Sequence, residues 1–137
     1  MNSVAGTPAI SRRRQVTSYV LTGFVALFLV FDTALKIFKL EPAVRGTTEL
    51  GYPADSVLWI GCIEFLCLAL FLIPRTSILG AVLMTGYLGG AIATHLRLGN
   101  PLLSHTLFPI YVALMLWGGL YLREQRLHEI LPILEKA

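Results

Sequence analysis

The sequence predicts an all-α integral membrane protein, folded as an antiparallel bundle of four transmembrane helices. Three observations lead there. Of the 137 residues, 55% are hydrophobic and only 14% charged, against roughly 45–50% and 25% in an average soluble domain. The mean hydropathy is +0.72. The apolar residues also fall into four runs, separated by breaks rich in Pro, Gly and charge. A soluble fold of this length buries only about two-thirds of its surface, and so few charges would not cover the rest.

Residues 1–15 are polar, carry Arg12-Arg13-Arg14 and read as a cytoplasmic basic tail. A basic stretch before an apolar run can be a signal peptide. Here the run is long, holds Asp32 and Lys36 near its end and lacks a small-residue cleavage site, so a retained first helix is expected. The membrane domain spans residues 16–122. Its first run, Val16–Phe38, has the roughly 20 residues needed to cross the hydrocarbon core. Leu40–Asp55 carries charges, prolines and glycines and reads as an extramembrane loop, with Gly51-Tyr52-Pro53 as a turn signal. The second run, Ser56–Ile73, is interrupted by Glu64 alone; Pro74-Arg75 leaves a tight turn before the third, Thr76–Leu96. Gly99-Asn100-Pro101 breaks the chain again, and the fourth run covers Ser104–Leu122. Residues 123–137 form a charged amphipathic tail with Leu127, Ile130, Leu131 and Leu134 on one face, suited to lying along the membrane surface although Pro132 weakens a helix there.

Orientation follows from Lys and Arg. With the N-terminus inside, that side holds Arg12, Arg13, Arg14, Arg75, Arg123, Arg126 and Lys136, and the other holds Lys36, Lys39, Arg45 and Arg97. Seven against four puts both termini in the cytoplasm. The net charge of +3 sits at segment ends, so lipid headgroups rather than nucleic acid are its expected partners. Cys62 and Cys67 lie five residues apart in one run, face different directions on a helix and are expected to be buried small hydrophobes.

Helix packing has a visible device. Gly86, Gly90 and Thr94 recur every four residues on the third run, with Gly89 and Ala93 beside them, and Gly118-Gly119 offers a second close-contact point. Small-xxx-small spacing lets helix backbones approach closely. Packing within one bundle is the first expectation; a homodimer or larger complex assembled on this face is the sharper one.

The intramembrane ionisable residues point to a site. Asp32 and Lys36 lie one turn apart, acid first, the favourable order for an ion pair. Glu64 lies midway along the second run, His95 and Arg97 close the third, and His105 opens the fourth. Charges at a helix centre cost roughly 2.5–3.5 kcal/mol and generally pair or line a polar cavity. Lys36 and Arg97 also fit simple snorkelling to the interface, and His105 fits an ordinary interfacial position. Tyr87, Ala91 and His95 share a helical face. Counting from the outer ends places Glu64 about 12 Å and Lys36 about 3 Å deep. Side chains tilt toward the N-terminus of their helix, so Lys36 on an outward helix and Glu64 on an inward one are expected to meet, with His95 close by. His128 is expected to be solvated. No metal site is expected: two imidazoles from neighbouring helices can ligate haem iron, but no ligand-spacing motif occurs and His105 is placed at the edge of the hydrocarbon, which argues against a haem between His95 and His105. Walker A, GxGxxG, CxxC and HExxH patterns are absent from the sequence.

Taken together, a set of segments resembles the DoxX-like family of small bacterial four-helix membrane proteins. The segments are Phe31-Asp32-Thr33-Ala34-Leu35-Lys36, Gly51-Tyr52-Pro53, Glu64, and Ile73-Pro74-Arg75-Thr76 through Leu79-Gly80-Ala81-Val82-Leu83. They continue through Gly86-Tyr87-Leu88-Gly89-Gly90-Ala91, Thr94-His95-Leu96-Arg97 and Trp117-Gly118-Gly119-Leu120-Tyr121-Leu122-Arg123. The broader group includes membrane subunits tied to quinol oxidation or thiosulfate:quinone oxidoreduction and one used in methylamine dehydrogenase maturation. The resemblance therefore implies a bacterial inner-membrane location and, by analogy, a redox association.

Three functions are consistent with these residues. The first is a redox-associated accessory protein touching quinone or another small lipophilic ligand, with Glu64, His95 and Tyr87 as proton donors and acceptors beside an apolar slot. The second is a small proton-coupled transporter or permeability factor using Glu64, which needs oligomerisation because four short helices do not enclose a pathway alone. The third is a structural subunit of a membrane complex. Whether the protein is an enzyme is not fixed by any motif.

Overall fold

The computed structural model describes residues 10–133; the outermost parts of both tails, including Leu134 and Lys136, lie outside them. The described chain is helical: α1 (Arg12–Ile37), α2 (Glu41–Glu49), α3 (Ser56–Leu72), α4 (Ser77–Arg97), a short π-helical segment (Leu102–Thr106), α5 (Phe108–Arg123) and α6 (Gln125–Ile130). Three stretches are long and apolar enough to cross a membrane: Arg12–Ile37, Ser77–Arg97 and Leu102–Arg123. The apolar helix Ser56–Leu72 has 17 residues.

The helices pack in a ring. α1 lies against α3 and α5, and α4 lies against the same two from the other side. Every neighbouring pair is antiparallel. The end of α1 meets the start of α3 at Lys36 and Gly61, and the end of α3 meets the start of α4 at Phe71 and Gly80. The end of α5 meets the start of α1, where Ser18 donates to the Gly119 carbonyl at 2.6 Å and Arg123 donates to Thr22 Oγ1 at 3.0 Å. Trp117 Nε1 donates to Thr85 Oγ1 at 2.8 Å and pins α5 to α4. Val25, Leu29, Leu68, Phe71, Met84, Leu116 and Leu120 fill the core between them.

The outside of the ring is apolar too. Val20, Leu27, Trp59 and Leu114 are 64–72% exposed. A soluble protein does not leave so much apolar surface uncovered, whereas lipid tails solvate it well. Together with three helices long and apolar enough to span a membrane, this surface is that expected of a multi-pass membrane protein.

Several expectations change. The stretch read as a loop contains a helix, α2, because Pro42 stands in its first turn with φ already suited to a helix and Glu41 favours the positive end of the dipole. Gly86, Gly89 and Gly90 meet no neighbouring atom within 4 Å of an added Cβ, so they are not the close contacts of this ring. Those contacts are made at Gly61, at Gly80 against the Phe71 backbone, and at Gly119, where an added Cβ would stand 2.6 Å from Thr22 Oγ1. Gly118 only touches the Leu21 side chain, at 3.8 Å. Cys67 is buried but Cys62 is exposed, its position falling on the outer side of α3. His128 is half-buried rather than solvated: its ring stacks on Tyr121 at 4.2 Å because α6 folds back under α5 and buries Leu127.

Candidate functional site

α1, α3 and α4 together bring four polar side chains to a common point, two of them from α1. Lys36, in the last turn of α1, sends its ammonium between three oxygens: Asp32 Oδ2 at 2.5 Å, Glu64 Oε2 at 2.7 Å and Tyr87 Oη at 2.9 Å. Tyr87 in turn donates its hydroxyl proton to Glu64 Oε2 at 3.0 Å. The expected meeting of Lys36 and Glu64 is therefore present, and the phenol of Tyr87 completes it. Glu64 is 0% exposed, Lys36 16% and Asp32 34%, so the pair grades from a closed carboxylate to a more open one. Geometry at the helix contact makes this reach possible. Gly61 lies one turn before Glu64, and its lack of a side chain lets α3 close on the Lys36–Ile37 backbone.

The donors of the cluster are all committed. An ammonium has three N–H bonds and a phenol one O–H, and each is accounted for above. Among the described residues, the Glu64 Oε1 atom is buried without a hydrogen-bond partner. An unpaired buried acceptor costs free energy on the order of 1–3 kcal/mol, a cost a ligand able to donate a proton would remove.

Beside the cluster lies a cavity of about 470 Å³, under α2 and between the four long helices. Its polar wall includes Asp32, Lys36, Glu64, Tyr87, Thr94 and His95, and its apolar wall includes Phe28, Leu29, Ile60, Ile63, Phe108 and Val112. Gly86, Gly90 and Ala91 form the α4 side, which explains why the glycines touch no backbone: their missing side chains open the cavity instead. Phe28 and Phe108 meet edge to face at 5.5 Å within the apolar wall. Thr47, Leu50 and Tyr52 complete the wall from the α2 side.

The remaining candidates sit apart from the cluster. His95 lines the cavity, with its Nδ1 2.9 Å from Asn100 Nδ2 and its ring 5.8 Å from that of His105. His105 is occupied by Ser104 at 2.8 Å. Arg97 does not join the carboxylates. Its guanidinium donates to the Leu50 carbonyl at 2.8 Å, and with the Tyr52–Thr94 hydroxyl pair at 2.8 Å it ties the α2–α3 connection to the end of α4. Among the described residues no group of three or more His, Cys, Asp or Glu side chains is placed to hold a metal.

Tyr52, Phe28 and Phe108 are the site residues that sequence reasoning passed over. Only Tyr52 carried a signal, in the turn Gly51-Tyr52-Pro53, where Gly51 adopts φ +85°. The two phenylalanines are indistinguishable in sequence from lipid-facing ones.

No curated protein and no solved structure matches the chain. A family model described as the DoxX-like family matches residues 20–119, a span that contains Asp32, Lys36, Glu64, Tyr87 and His95. With most of its length inside that match, the chain belongs to the DoxX-like family.

Proposed function

We propose that α1, α3, α4 and α5 all cross a bacterial inner membrane with both termini in the cytoplasm, and that the protein binds a small, mostly apolar molecule in the cavity beneath α2. The observation that carries this reading is the buried Lys36–Glu64–Tyr87 cluster forming one wall of a mostly apolar space of about 470 Å³. Ligand cavities are typically about 300–1,000 Å³, mostly apolar, with a few convergent polar groups. Charges at this depth generally pair with one another or mark a ligand path, and here they do the first beside an open volume.

The redox-associated accessory role rests on family likeness, and quinone is one molecule of the right size and polarity for the cavity. A transporter reading has one observation in its favour: Gly89 and Ala93 are exposed on the outer face of α4 and leave room for a second copy. Mass spectrometry of the gently purified protein separates the readings. A retained small lipophilic molecule, lost when Gly90→Phe fills the cavity, supports ligand binding. An empty dimer supports the transporter, and an empty monomer that takes up no added lipophile contradicts the proposal.

A further inference from the structure

We infer that the molecule this cavity accepts carries a protonated amine on an apolar body, with the ammonium seated on Glu64. The inference rests on the ligand-binding reading of the cavity and narrows the head group, at the expense of a quinone. Three observations support it. First, the cluster offers no free donor. All three Lys36 protons and the Tyr87 proton are already given to Asp32, Glu64 and Tyr87 oxygens. A quinone presents only carbonyl acceptors and, to be recognised by the cluster itself rather than by the His95 ring elsewhere on the wall, would have to break one of these bonds, while Glu64 Oε1, buried and without a partner, is an acceptor suited to an N–H.

Second, with both acids ionised the cluster carries two carboxylates against one ammonium, an excess of one negative charge beside an apolar space. Arg97 donates to the Leu50 carbonyl and pairs with neither acid. A cationic head group supplies the missing charge. Third, the wall carries the aromatic rings of Phe28, Tyr52 and Phe108, groups of the kind whose faces attract an ammonium, as the Tyr87 ring already does with Lys36 at 5.5 Å from its centroid. A proton held on Glu64 would reverse the logic, turning Oε1 into a donor and favouring a carbonyl or carboxylate ligand.

The test uses four probes of similar size, 4-phenylbutylamine, 4-phenylbutanol, 4-phenylbutyrate and duroquinone, titrated calorimetrically into the full-length protein in mild detergent. The amine is expected to bind about tenfold or more tighter than the alcohol, with the butyrate weakest. In Glu64→Gln the amine's advantage over the alcohol should vanish while the alcohol still binds. Where that variant does not fold, the order of the four probes on the wild type decides alone. Equal binding of amine and alcohol, or tighter binding of butyrate or duroquinone, overturns the inference and leaves the cavity reading standing. No binding by any probe overturns both.

Discussion

Gly61 lies against Lys36 so closely that a Cβ at position 61 would stand 2.7 Å from the Lys36 Cβ and 3.2 Å from the Ile37 nitrogen. This contact sets the distance between α1 and α3, and Glu64, one turn further along α3, reaches the Lys36 ammonium because of it. Gly61→Val should therefore cost stability on the order of 1–3 kcal/mol, the usual penalty for overpacking. Thermal melting in detergent checks this, and a wild-type melt would mean that the helices do not close here.

The glycines divide by what faces them. Gly119→Ala should lower the melting temperature, since its Cβ would meet Thr22 Oγ1 at 2.6 Å. Gly90→Leu, with nothing within 4 Å of its Cβ, should stay within about 0.5 kcal/mol of wild type. The same Gly90 variant should lose bound lipophile, because its side chain enters the cavity. A Gly90→Leu protein that melts early would place a helix contact where the structure has open space.

Arg97 ties the α2–α3 connection to α4 rather than serving the carboxylates. Arg97→Met should speed hydrogen exchange at Gly51 and Tyr52 while leaving the melting of the bundle nearly unchanged. Exchange at wild-type rate would show that the Leu50 carbonyl contact holds nothing in place.

The orientation is testable by labelling single cysteines in a background lacking Cys62 and Cys67. Thr48, exposed on α2, should react with an impermeant maleimide in intact cells, and Arg75, exposed on the turn between α3 and α4, should not. The opposite pattern would invert the topology.

The long helices were legible because hydrocarbon demands length and apolarity, and both can be counted residue by residue. The Lys36–Glu64 meeting is legible too, since a lone carboxylate in an apolar run needs a partner and side-chain tilt brings Lys36 toward it. What the residues do not reveal is which face of a helix meets which neighbour. Gly86 and Gly90 have the periodicity of a packing face, yet that face borders a cavity; the tight contacts fall at Gly61 and Gly80, which belong to no repeat. The helix α2 was hidden by its short length and polar composition, and Arg97 by a backbone carbonyl partner that no sequence pattern encodes.

The central claim is that Lys36 and Glu64 form one buried, energetically coupled unit at the cavity wall. A double-mutant cycle on stability with Lys36→Met, Glu64→Gln and the double variant measures it directly. Removing one partner of a buried pair typically costs about 3–5 kcal/mol, while removing both is far milder. The expected result is that each single change is costly and the double costs less than their sum by at least about 1 kcal/mol. Losses that add to within about 0.5 kcal/mol would contradict the pairing, leaving Asp32 as the partner of Lys36 and Glu64 outside the unit.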